Sequence, residues 1–193
     1  VDPPSNYEEK EIKYAQLLAQ VLRIRPQILE FSIDRFPPTS DEFSSLWFNA
    51  VLRTLSFYGN HIGDAGGIAL AKALEVNAVL TTVWLNNINI SDAGAIAIAK
   101  ALKVNASITY LNLAVNKIDD QGAAAIADAL KVNAVLKTLC LDRTNIGDQG
   151  AKALASALEV NAVVTELSLG SNNIGDPGAT AIANAIAVNA GLK

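Results

Sequence analysis

Few side chains in this sequence could do covalent chemistry. It holds one histidine, His61, and one cysteine, Cys140. A thiol activated by an imidazole needs the two within hydrogen-bond reach, and one of each is too few for a zinc site. The carboxylates of Asp142 and Glu166 could serve as a glycosidase-like acid–base pair only if the fold held them ~5–10 Å apart. Gly63-Asp64-Ala65-Gly66-Gly67 has the glycine content of a phosphate loop but lacks the Gly-Lys-Ser/Thr end that completes one. Asp119-Asp120 reads more simply as a helix cap beside a solvated neighbour than as a pair of metal ligands. Recognition, rather than reaction, is open to three aromatic residues, Tyr58, Trp84 and Tyr110.

A strict 28-residue interval decides between these readings. Val-Asn recurs at Val76-Asn77, Val104-Asn105, Val132-Asn133, Val160-Asn161 and Val188-Asn189, in step with aliphatic anchors at Leu52, Leu80, Ile108, Leu136, Val164 and Leu192. A fixed period of that length marks a solenoid whose stacked units bury a core none could bury alone. Within a unit, Leu55-Ser56-Phe57 alternates at period 2, as do Val83/Leu85, Leu111/Leu113, Leu139/Leu141 and Leu167/Leu169, which predicts a short strand. An Ala/Leu-rich segment follows with Leu70/Leu74, Ile98/Leu102, Ile126/Leu130, Leu154/Leu158 and Ile182/Ile186 on one helical face. Asp64, Asp92, Asp120, Asp148 and Asp176 stand at the start of these helices, where a carboxylate can cap free N–H groups and meet the helix dipole. Pro177 fits the first helical turn. Strand, turn, helix and return, repeated, give parallel strands side by side with helices on the outer face.

The pattern L-x-x-L-x-L-x-x-N-x-L, followed by G-D-x-G-A and a helix, resembles the leucine-rich repeat in its ribonuclease-inhibitor-like subtype. The resemblance covers residues 52–192, and the Val-Asn-Ala and Gly-Asp-x-Gly-Ala copies are similar to the C-terminal repeats of NOD-like receptors. It implies an α/β leucine-rich-repeat solenoid, a horseshoe with parallel concave strands and convex helices. The Asn position of the motif reads Asn60, Ile88, Asn116, Thr144, Asn172. Asn there can bond the loop backbone and Ile cannot, so the loop at Ile88 must be held in another way.

In that frame the enzyme readings fail on distance. Three strand spacings separate His61 from Cys140 by roughly 14 Å, and a four-residue offset separates Asp142 from Glu166 by about 13 Å. The concave columns hold mostly small polar residues. Against them Tyr58, Trp84 and Tyr110 fall on a diagonal, with rings close enough (~7–8 Å between diagonal neighbours) to form one patch. The expected partner-binding set is Tyr58, Trp84 and Tyr110 with Asn86, Asn112, Asp142 and Arg143, and Arg143 beside Asp142 reads as a local charge pair. Cys140 reads as an inert exposed thiol. No catalytic residue, cofactor or metal site is expected.

A net charge of −4 with no Lys/Arg cluster argues against nucleic acid, and no apolar run is long enough to span a bilayer. A single cysteine favours a reducing, cytoplasmic setting. Residues 1–51 lose the period and read as a helical, degenerate capping region; residues 52–193 hold five repeats and the start of a sixth. In the first region Tyr7 to Ile24 suggests an amphipathic helix, Ile28-x-x-Phe31-x-Ile33 a strand, and Asp41 to Ala50 a short helix after the break at Pro37-Pro38. The start at Val1 and the stop just inside a sixth repeat suggest a monomer or a fragment of a larger chain. The function expected is non-catalytic recognition of a protein partner, as in the sensing repeats of NOD-like receptors. The alternative is a GTPase regulator of the Ran GTPase-activating type, for which Arg53 and Arg143 are the only arginines in the repeats.

Overall fold

In the computed structural model, which describes residues 30–32 and 52–192, each unit opens with three residues of strand. These are β1 (Glu30–Ser32), β2 (Thr54–Ser56), β3 (Thr82–Trp84), β4 (Tyr110–Asn112), β5 (Thr138–Cys140) and β6 (Glu166–Ser168). From β2 onward each strand leads into a helix: α1 (Gly63–Val76), α2 (Asp92–Leu102), α3 (Asp120–Leu130), α4 (Asp148–Leu158) and α5 (Asp176–Val188). The sheet is parallel and its strands follow chain order. β1 is the strand expected around Phe31; it pairs Glu30 with Thr54, four residues short of the period that joins Thr54 to Thr82. The helices read at 7–24 and 41–50 lie outside the described residues.

Parallel strands sit ~4.8 Å apart while packed helices need ~8–10 Å. Stacking the two in register curves the solenoid with the sheet on the inside. The core between the layers is built as the alternation requires: Leu55, Val83, Leu111 and Leu139 are fully buried, with Phe57, Leu85, Leu113 and Leu141 behind them. Leu70/Leu74, Ile98/Leu102, Ile126/Leu130 and Leu154/Leu158 meet them from the helices, and small Ala side chains let adjacent helices approach. The valines of the Val-Asn pairs have the opposite fate. Val76, Val104, Val132, Val160 and Val188 form an exposed apolar row along one edge.

Their neighbours, the asparagines, bind the repeats together. Asn133 Oδ1 accepts from Val135 N (3.0 Å) and Leu136 N (2.8 Å), closing its own turn. Its amide donates to Leu102 O (2.7 Å) and Asn105 O (3.3 Å) of the preceding repeat. Asn105, Asn161 and Asn189 do the same, reaching 31 and 28 residues back. One buried side chain thus satisfies backbone groups in two repeats, which apolar residues cannot do.

The aspartates also work between repeats, which corrects the expectation that each caps its own helix. Asp92 Oδ1 accepts from Asp119 N (2.8 Å) and Gly122 N (2.9 Å), at the start of the following helix. Asp64 does so for Ser91 and Gly94, Asp120 for Gly147 and Gly150, and Asp148 for Gly175 and Gly178. Each Asp is already inside its own helix, so its carboxylate points sideways, along the stack. The glycine of Gly-Asp-x-Gly makes room for it: a Cβ on Gly122 would stand 2.5 Å from Asp92 Oδ1. That is why the supposed phosphate loop recurs in every repeat.

The loop at Ile88 is held by the next repeat. Asn116 Oδ1 accepts from Ile88 N and Ile90 N (both 3.2 Å), and its amide donates to Leu85 O and Leu113 O (both 2.8 Å). Asn172 serves the Thr144 loop likewise, accepting from Thr144 Oγ1 (2.7 Å) and Ile146 N (3.2 Å). Each turn also passes through a left-handed residue: Gly59 (φ 75°), Asn87 (58°), Val115 (57°), Arg143 (51°) and Ser171 (57°). Val115 is the strained member, because a β-branched side chain clashes there.

Three outcomes follow. Asn133→Ala leaves backbone groups of two repeats unpaired and should cost about 2–4 kcal/mol in denaturant unfolding, more than Asn189→Ala at the half-buried end. Val115→Asn should stabilise by about 1 kcal/mol, since Val115 is 43% exposed and little burial is lost. Gly59→Val, the reverse change in the same column, should destabilise.

Candidate functional site

The inner face carries three columns of outward side chains, fixed by the strand register. Thr54, Thr82, Tyr110, Thr138 and Glu166 form the first; Ser56, Trp84, Asn112, Cys140 and Ser168 form the second. Tyr58, Asn86, Ala114, Asp142 and Gly170 continue the third past the strand ends. Because Thr82 pairs with Tyr110, Trp84 lies one pleat further along and meets the Tyr110 ring diagonally. The ring centroids are 4.7 Å apart, tilted by 40°. Tyr58 is 56% exposed and makes no ring contact among the described residues. The diagonal therefore forms a stacked pair with a separate tyrosine, rather than one three-ring patch.

Tyr110 anchors a small polar network. Its Oη accepts from Asn112 Nδ2 (3.4 Å) and from Cys140 Sγ (3.8 Å), while Asn112 Oδ1 accepts from Ala114 N (2.9 Å). Asn112 is thus buried and internally engaged. Burial raises the Tyr110 phenol pKa, and Cys140 and Glu166 add to the effect against the Asn112 bond. Cys140 is half-buried rather than exposed. Burial pushes its thiol up, Asp142 and Glu166 push it further, and the Tyr110 bond opposes them only in part. A thiol so held is protonated and weakly nucleophilic at neutral pH.

Asp142 and Arg143 do not form the expected charge pair. Asp142 Oδ1 accepts from Gly170 N (2.8 Å) in the next repeat, and Arg143 occupies the left-handed turn position, exposed. Lys131–Asp128, on the helical side, is the only ion pair among the described residues. Glu166 Oε2 accepts from Thr138 Oγ1 (3.1 Å). Neither carboxylate has an ion-pair partner among the described residues. Asn86 Oδ1 is buried without a hydrogen-bond partner among the described residues. The periodic pattern could not announce that orphan acceptor or the Thr138–Glu166 bond, since both lie in columns that change from repeat to repeat. Among the described residues no three His, Cys, Asp or Glu side chains gather as a metal site, and no described helix is long and apolar enough to cross a membrane.

The sequence of residues 48–71, 104–127, 132–155 and 160–183 matches the family model of the leucine-rich repeat. The fold is a leucine-rich-repeat solenoid. Solved structures of the same kind include the actin-binding site 2 of leiomodin-1, 24% identical with a TM-score of 0.61 over 97% of this chain and 91% of that one. The tropomodulin C-terminal domain of Caenorhabditis elegans is 14% identical with a TM-score of 0.60, over 91% of this chain and 92% of that one. An internalin of Listeria monocytogenes is 16% identical with a TM-score of 0.54, over 91% of this chain and 49% of that one. No curated protein sequence matches the chain. In this leucine-rich-repeat frame the Trp84–Tyr110 pair sits centrally on the described strand face, between the tyrosine of the first repeat and the acids of the fourth and fifth.

Cys140 reports on this surface. Its alkylation by iodoacetamide at pH 8 should be several-fold slower than that of a free thiol. Glu166→Gln or Asp142→Asn should speed it, because removing a negative charge lowers the thiol pKa; a rate equal to free cysteine would show the thiol unshielded.

Proposed function

We propose that this leucine-rich-repeat protein is a non-catalytic interaction module that seats a segment of a protein partner on its inner face, anchored at the Trp84–Tyr110 stack. The stack carries the reading. Two rigid rings already packed together lose little entropy on binding, and aromatic clusters ringed by small polar residues are typical interface anchors. The acids of the fourth and fifth repeats set the chemistry of the partner: Asp142 and Glu166 each use one oxygen in a hydrogen bond and have no ion-pair partner among the described residues, so an apolar residue flanked by Arg or Lys suits the surface.

Related folds support a protein ligand, since the leiomodin-1 structure is an actin-binding site; actin is accordingly a probe worth including. The 28-residue period and the Asn/Ile/Thr column support the ribonuclease-inhibitor-like subtype. The likeness to NOD-like receptor repeats supports a module within a larger sensing protein. The free Cys140 supports a reducing, cytoplasmic setting. The GTPase-activating alternative finds no single cationic site in the repeats. Arg53 Nη1 donates to Val79 O (3.4 Å), and Arg143 lies three repeats away.

The test compares wild type with a Trp84→Ala/Tyr110→Ala variant that circular dichroism shows to be folded, in capture from cell lysate and in binding to purified actin. Loss of a captured partner by tenfold or more is expected, in line with the ~2 kcal/mol or more that a hot-spot aromatic contributes. Tyr58→Ala should have a smaller effect, and Glu166→Gln should weaken binding in a salt-dependent way. Equal capture by wild type and the double variant would overturn the reading and direct attention to the outer helices.

A further inference from the structure

Two places past a strand, a backbone N–H turns to a side-chain oxygen, and the chain supplies that oxygen in two ways. Tyr58 N donates to Ser56 Oγ (3.4 Å) and Ala114 N to Asn112 Oδ1 (2.9 Å), both within one repeat. Gly170 N reaches back instead, to Asp142 Oδ1 of the preceding repeat (2.8 Å). Ala114 has both kinds of acceptor at hand. Asn86 stands to Ala114 as Asp142 stands to Gly170, one period earlier and with a side chain of the same shape. Yet Asn86 Oδ1 is buried without a hydrogen-bond partner among the described residues. A buried acceptor in that state gains by taking a donor that comes within reach. Asn112, for its part, is lightly held: beyond the Ala114 bond, its amide makes one long bond to Tyr110 Oη (3.4 Å).

We infer that Asn112 is a releasable recognition side chain: Ala114 N–H passes to Asn86 Oδ1, and the freed Asn112 carboxamide binds the main chain of an extended peptide segment. The exchange keeps Ala114 N–H bonded and ends the isolation of Asn86 Oδ1, so only the long Tyr110 bond is given up. A carboxamide carries an acceptor oxygen and two N–H donors, which match the N–H and C=O of a peptide unit. Its place favours that occupant. Asn112 lies opposite Trp84 in the β3–β4 register, so a segment with an apolar side chain on the Trp84–Tyr110 stack brings its own backbone over Asn112. The assignment rests on the inner-face binding proposed above and makes part of that contact independent of the partner's side chains.

Amide hydrogen exchange at Ala114 tests the release in the free protein, with Leu113 N, bonded to Cys140 O (2.9 Å), as the control for general loosening. Asn112→Ala and Asn86→Ala should each leave Ala114 protected, because the other carboxamide takes the proton. The two changes together should speed its exchange about tenfold or more while Leu113 holds. Exchange in Asn112→Ala as fast as in the double variant overturns the inference, and so do equal rates in all four proteins. The second arm uses a short peptide with a central leucine flanked by lysines, and its analogue with an ester in place of the leucine N–H. Wild type should bind the ester about fivefold more weakly, the loss of one hydrogen bond, and Asn112→Ala should bind the two alike. Asn86→Ala should weaken the amide peptide too, since release then leaves Ala114 N–H unpaired. Binding that falls with Trp84→Ala/Tyr110→Ala but ignores both the ester and Asn112→Ala removes the inference and leaves the inner-face reading standing. No binding, or binding indifferent to Trp84→Ala/Tyr110→Ala, removes both.

Discussion

The stack depends on backbone groups that a single repeat cannot satisfy for itself. A helix leaves free N–H groups at one end and free carbonyls at the other; here both ends lie where adjacent units meet. The asparagine after each exposed valine takes the carbonyl end and the aspartate in the first helical turn takes the N–H end, each reaching across to a neighbouring repeat. Burying these groups unpaired would cost more than the Ala-rich helices return in apolar area. The unit of stability is therefore the boundary between repeats, and the core of Leu55, Val83, Leu111 and Leu139 fills in behind it.

That division leaves the inner face chemically free. Residues in the buried columns are repeated because every boundary makes the same demand, whereas the outward columns, apart from Asp142 with its bond to Gly170 N, change from unit to unit. Threonine, tryptophan, tyrosine and cysteine all occupy them without disturbing the register. Tyr110 is a partial exception, since its hydroxyl collects both Asn112 and Cys140. The ring that anchors the proposed contact is thus held in place by its own polar network.

The period made the fold legible in the sequence, because Leu55, Phe57, Leu70 and Leu74 and their copies state the strand and helix faces directly. The direction of the polar side chains was not legible. A carboxylate at a helix start looks the same whether it bonds its own helix or the next one, and only the lateral distance between units decides. Ile88 shows the same limit: its loop is closed by Asn116, a residue 28 positions away that looks like the holder of its own turn. In the candidate site the diagonal of aromatic residues followed from register. That Trp84 meets Tyr110 while Tyr58 stands apart depended on ring orientations that spacing does not contain. The expected Asp142–Arg143 pair does not form: Asp142 Oδ1 takes the Gly170 N–H of the next repeat, and Arg143 stands exposed in a left-handed turn.

The row of aspartates shows how the boundary tunes its own charge. Asp64 and Asp92 occupy equivalent positions, yet their acidities move in opposite directions. Burial pushes Asp64 up, but the Ser91 hydroxyl and the N–H groups of Ser91 and Gly94 outweigh it, and the carboxylate ends below its ordinary range. Its contribution is thus present above the unfolded carboxylate pKa and fades as pH falls through the folded one. At Asp92 burial acts with the carboxylate of Asp119, which stands where Ser91 stood, and together they prevail over the two N–H groups. The residue just before each helix therefore matters: the Ser91 hydroxyl lowers the carboxyl it meets, whereas in the Asp92–Asp119 pair Asp92 rises while Asp119 falls, through the bond it shares with Asp92 and the N–H of Gln121. Gly147 and Gly175 avoid the choice, supplying Asp120 and Asp148 with an N–H and no side chain at all.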